Sequence, residues 1–119
     1  MSIPTALLPT TCNVYRPFGA GAPTHTNVPC RLVPDLARGR TPNGTSLSWT
    51  HYLVLDVTAD VLDAVTRPAG SQLLTYSDGD EIRVPSGATT PSFAVVWVET
   101  VDAGSPREYK RAYLMRHAA

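Results

Sequence analysis

Cysteine, charge and long apolar runs are all scarce in this sequence, and each scarcity excludes something. Two cysteines, Cys12 and Cys30, among 119 residues are too few for a disulfide framework. Nothing near the N-terminus resembles a basic region followed by an apolar signal core, so synthesis in a reducing cytoplasm is expected. A buried free thiol is the expected role of each cysteine, with a bridge between them the alternative. Only 17% of residues are charged, and ten basic side chains cancel ten acidic ones. The whole-molecule field therefore gives no reason for tight binding to nucleic acid or to an anionic membrane. No apolar run approaches the roughly 20 residues that cross a bilayer, so a soluble protein without membrane contact is expected.

Reactive motifs are missing as well. His25, His51 and His117 stand alone, with no second His or Cys at ligand spacing, which leaves no metal site. Asp56, Asp60 and Asp63 lack the Gly and Asn pattern of a calcium loop and read as a cap with solvated acids. Asp78, Asp80 and Glu81 are explained by a turn flanked by Ser and Gly. There is no nucleophile motif, no phosphate-cradling glycine loop and no dinucleotide fingerprint. The expectation is a protein without catalytic activity and without a cofactor.

What is present is β. Val, Thr, Tyr and Trp recur in short bursts separated by Pro, Gly, Ser, Asn and Asp, the pattern of an all-β chain with long connections. At this length one domain with one modest core is expected. Residues 1–9 hold the short apolar patch Ala6-Leu7-Leu8 between two prolines and read as an N-terminal arm; residues 10–119 read as the single domain. Strands are predicted over Thr10–Arg16, Asn27–Pro34, Ser46–Val57, Gln72–Tyr76, Glu81–Pro85, Phe93–Val101 and Arg107–His117.

The strand around Val28-Pro29-Cys30 is expected at an edge or with a bulge, because proline cannot donate to a ladder. In Ser46–Val57, Trp49, His51, Leu53 and Leu55 alternate with Thr50, Tyr52, Val54 and Asp56, so this strand should be central. Phe93, Val95 and Trp97 are expected on one side of the final hairpin, with Tyr109, Arg111, Tyr113 and Met115 alternating on its return strand. Thr58 or Asp60 is positioned to cap a single helical turn over Thr58–Val65. Asp78-Gly79 between two β bursts is a hairpin signal. Phe18–Thr26 and Asp35–Thr45, the latter with Arg38-Gly39-Arg40 and Pro42-Asn43-Gly44, read as exposed loops. The sum is a mostly β fold: a small antiparallel barrel or sandwich with long loops and at most one short helical turn.

The order of these features resembles the small head-tail connector proteins of tailed bacteriophages, of the stopper or head-closure type. The residues that carry the resemblance are Val14-Tyr15-Arg16, Val28-Pro29-Cys30-Arg31-Leu32, His51-Tyr52-Leu53-Val54-Leu55, Asp60-Val61-Leu62-Asp63, Gly79-Asp80-Glu81-Ile82-Arg83-Val84, and Phe93-Ala94-Val95-Val96-Trp97-Val98 followed by the strand over residues 107–116. It spans nearly the whole chain and contains no catalytic signature. The extra length between Thr66 and Thr75 departs from the compact form of that family.

The resemblance implies a structural virion protein, made in the host cytoplasm and located in the neck. There it would form a homo-oligomeric, hexameric ring that closes the DNA-filled head and joins it to the tail. Its partners would be a portal or adaptor on the head side and a tail terminator or tail tube protein on the tail side. DNA would pass through the channel without sequence-specific binding, helped by channel-facing acids from the acidic segment 56–102. Protein contacts are expected from the two loops and the arm, with Phe18, Arg38, Arg40, Asn43, Leu7 and Leu8 as candidate residues. A tail terminator or minor tail protein is the alternative within virion proteins. A ligand- or carbohydrate-binding β domain, with Trp49, Trp97 and Tyr52 as a stacking platform, is the alternative outside them. Base stacking by the aromatic and basic residues of the last hairpin is the weaker reading of that stretch.

Overall fold

The computed structural model describes residues 7–16, 18–40, 46–64, 79–88 and 92–118. Six strands occupy most of them: β1 (Thr10–Tyr15), β2 (His25–Arg40), β3 (Ser46–Leu55), β4 (Glu81–Arg83), β5 (Ser92–Val101) and β6 (Tyr109–Ala118). All pairs are antiparallel. They follow one another in the order β1-β2-β3-β6-β5-β4, and the pairing of β1 with β4 closes the ring into an irregular barrel. Closure removes most of the sheet edges that a small β domain would otherwise expose. No α-helix occurs among the described residues, and none there is long and apolar enough to cross a membrane. The arm residues 1–6, the predicted strand Gln72–Tyr76 and the first half of the Asp78-Gly79 turn lie outside the described residues.

The inner core follows from period-two alternation. Cys12 and Val14 of β1, Leu53 and Leu55 of β3, Phe93 and Val95 of β5, and Ala112 and Leu114 of β6 meet with Cys30 and Ile82 inside the ring. Both cysteines are free and buried. Contact with the Cys30 thiol, together with burial, pushes the Cys12 thiol well above the usual range, which makes it an unreactive core group.

A bulge decides where the aromatics go. Val95 pairs with Leu114 but Trp97 pairs with Tyr113, so Val96 is an extra residue in β5. The expected run Phe93, Val95, Trp97 is therefore split: the first two face inward, and Trp97 joins a second cluster with Leu47, Trp49, Val96 and Tyr113. An inserted residue reverses the alternation beyond it.

One further expectation is met and two are corrected. Val28-Pro29-Cys30 lies beside a bulge, since Cys12 pairs with Val28 but Val14 pairs with His25. Proline is tolerated because the β3 ladder starts only at Cys30, leaving Pro29 with a strand neighbour, Thr11 of β1, on one side alone. No helical turn forms over the described residues 58–64. The Leu62 and Ala64 amides donate instead to the Asp80 carboxylate (2.8 Å) and the Val95 carbonyl (3.1 Å), which draws this stretch against the barrel. Finally, Asp35–Arg40 is not loop. It continues β2 and pairs with β3 as far as Arg40 opposite Ser46.

Candidate interaction surfaces

Beyond the barrel, β2 and β3 run on as a two-stranded ribbon. β1 pairs with β2 only over His25–Cys30, and β6 pairs with β3 only over His51–Leu55. From Ala37 to Arg40 and Ser46 to Trp49 the two strands have only each other. A lone hairpin is marginal in water, and this one is anchored through a single face. Leu47 and Trp49 pack on Val96 and Tyr113, the Trp49 ring lies 4.5 Å from that of Tyr113, and the indole N–H donates to the Asp35 carboxylate at 3.1 Å. Gly39 has a packing role here. A Cβ at this position would come within 2.8 Å of Cη2 of Trp49, so only glycine lets the indole lie flat across β2.

The opposite face of the ribbon is open. Leu36, Arg38 and Arg40 alternate along β2 and are all exposed, Leu36 at 86%. Arg38 and Arg40 thus share one exposed face, on a paired strand rather than on the expected loop. Asn43 lies outside the described residues. Leu36 escaped sequence reasoning because it sits in a stretch of turn-forming residues. Its alternation with two arginines, opposite the small residues Ala37 and Gly39, was the available signal.

The remaining candidates separate. Leu7 is 51% exposed, whereas Leu8 at 5% is part of the core and unavailable to a partner. Phe18 is half-buried, its ring edge-on to His117 at 4.8 Å, away from the ribbon residues in sequence and packed on the C-terminal strand.

Among the described acids of the central segment, Asp63, Asp80 and Glu81 are buried, whereas Asp56 is a cap and Asp60 a solvent-exposed acid, as expected. Asp80 is fully buried, and its carboxylate accepts from Arg16 Nε (3.0 Å) and Nη2 (2.8 Å) as well as from the Leu62 amide. Asp63 is buried and accepts the Val98 amide at 2.6 Å. Glu81, also buried, accepts from Arg83 and from the Gly19 amide. Asp56 caps the Thr58 amide at 3.1 Å. Gly79 makes this arrangement possible: a Cβ there would lie 2.3 Å from the Val95 carbonyl oxygen and 2.7 Å from the Ala64 nitrogen.

Asp60 is the solvent-side member of the group, holding Arg16 Nη1 at 3.0 Å and His25 Nε2 at 2.9 Å. The Arg16 guanidinium, and then His25, lower its pKa from 3.8 to about 2. A depressed carboxyl pKa contributes stability that is present above the unfolded value and lost as pH falls through the folded one. Urea midpoints should therefore fall as pH drops from about 4 to about 2. Asp60→Asn should flatten part of that slope, and added salt should weaken the effect because the pair is exposed.

The aromatic residues are occupied by their own neighbours. Trp97 stacks on Tyr113 at 5.4 Å and 11°, Trp49 covers Tyr113 from a second direction, and the Arg111 guanidinium sits 4.6 Å over Tyr52. Burial, with Glu99 accepting the hydroxyl at 2.5 Å, raises the Tyr113 phenol pKa. Rings packed in this way offer little free face for a sugar or a base. No group of three or more His, Cys, Asp or Glu among the described residues is placed to hold a metal ion. No protein family, curated protein or solved structure gives a significant match to this chain.

Proposed function

We propose that this chain is a structural protein of the neck of a tailed bacteriophage, a stopper-type subunit without catalytic activity that binds other protein surfaces. The reading rests on the order of sequence features that resembles head-closure proteins. The observation that best supports it is the ribbon: a barrel whose edges are mostly closed carries a two-stranded extension, fixed by Trp49 on one face and presenting Leu36, Arg38 and Arg40 on the other. Such an element suits a protein that must touch neighbours in a ring and components above and below it. In this reading the homo-oligomeric ring joins portal or adaptor to tail terminator or tube, and DNA passes through without specific contacts. With Asp63, Asp80 and Glu81 buried, Asp60 and Asp102 are the exposed acids of segment 56–102 among the described residues and the candidates for facing the channel.

Deleting residues 38–43 tests the assignment. No residue of the inner core lies in that range, so the purified variant should keep its β circular dichroism and its monomer fold. In complementation, head-to-tail joining should fall to background. Normal virion yield with the deletion would contradict the assignment of the ribbon as the contact.

A further inference from the structure

A groove lies on the outer face of β2, β3 and β6, about 370 Å³ in volume, with Leu7 at its margin and Val33 and Tyr52 in its walls. Across its floor Arg31 pairs with Val54, and Val54 pairs with Arg111, so two guanidinium groups flank one aliphatic side chain. No lining residue among the described ones is acidic. The Arg31 side chain is exposed and has no ion pair or side-chain hydrogen bond with any described residue. Arg111 is held by stacking on Tyr52 and by donation from Nη2 to the Tyr109 hydroxyl at 3.0 Å, yet its buried Nε has no acceptor. Its cross-strand neighbour Glu99 accepts from Tyr113. Two guanidinium groups thus border an apolar floor, Arg31 with no acidic partner among the described residues and Arg111 with a buried Nε that lacks an acceptor, so an incoming carboxylate would find donors that are not already taken.

We propose that this groove is a docking site for an acidic, aliphatic segment of a partner protein, bound in extended form. β2 and β6 are two strand spacings apart, about 10 Å. An extended chain presents residues i, i+2 and i+4 on one face, and i to i+4 spans about 13–14 Å at roughly 3.3–3.6 Å per residue, within reach of two long arginine side chains. The fitting sequence therefore has two acids with three residues between them, the acids on Arg31 and Arg111 and an aliphatic side chain at the middle position on Val54. A protein carboxylate is favoured over a nucleic acid because the Tyr52 face toward Arg111 is already taken and the Tyr109 ring, the other aromatic of the lining, also meets that guanidinium, at 5.9 Å.

The test is fluorescence anisotropy with the full chain at low salt, using a fluorescein-labelled octapeptide Gly-Asp-Ser-Leu-Ser-Asp-Gly-Ser. The expected result is saturable binding. It should weaken at least tenfold when both acids of the peptide are replaced by Asn, at least tenfold in Arg31→Gln, and further as salt is raised. Arg31 is exposed, so the variant should retain the parent circular dichroism. No saturable binding, equal binding of the Asn peptide, or tighter binding of an eight-residue oligothymidylate would each overturn the proposal. The assay reads the groove alone, so its failure is distinct from failure of the neck assignment.

Discussion

Asp80→Ala should lower the unfolding free energy by about 3–5 kcal/mol, the range for removing one partner of a buried ion pair. Asp80 has no solvent exposure and joins three parts of the chain: Arg16 after β1, the Leu62 amide, and β5, whose Val95 amide donates to the Asp80 carbonyl at 3.0 Å. Truncation strands the inner half of the Arg16 guanidinium and leaves the Leu62 donor unpaired. Against a domain stability of about 5–15 kcal/mol, that loss is a large share of the whole. Asp60→Ala is the internal control. It removes the other carboxylate on the same guanidinium, but one half exposed to solvent, and should cost under about 1 kcal/mol. Urea titration of both variants decides the point. Equal small losses would show that Asp80 is hydrated in solution.

The second large effect is expected at the ribbon. Trp49→Ala removes the indole from Tyr113, Gly39 and the Asp35 carboxylate together, and truncating a buried Trp costs about 3–5 kcal/mol. Much of that loss should be local. Trp49 belongs to the outer cluster and shares no residue with the inner core, so the ribbon can detach while the ring stays closed. Amide exchange should become fast over 37–40 and 47–49 and remain slow at Leu53, Val95 and Leu114. Uniformly faster exchange would mean that ribbon and barrel unfold as one unit.

These two sites also mark how far the sequence could be read. β3 and the β5–β6 hairpin were legible because their apolar residues alternate over seven or more positions and end in turn residues. The ribbon was not legible, because Arg38-Gly39-Arg40 is turn chemistry by composition. Gly39 is required there for the packing of Trp49, a contact ten residues away in sequence that no local pattern announces. Asp63 reads as a solvated acid and Asp80 as a turn residue for a similar reason: what buries them is a set of donors, Arg16, Leu62 and Val98, that only the closed ring brings together. The Val96 bulge is a third case, since a run of valines gives no sign of where a register shifts. Of the candidate contact residues, alternation could have recovered Leu36. The burial of Leu8 next to exposed Leu7 depends on how the arm enters β1.

The most direct test of the proposed neck assignment is electron microscopy of a lysate from a phage that carries this gene, with a nonsense mutation placed in it. The account predicts heads and tails that fail to join, with joined, infectious particles restored when the purified full-length chain is added. Joined particles in the absence of the protein would contradict it.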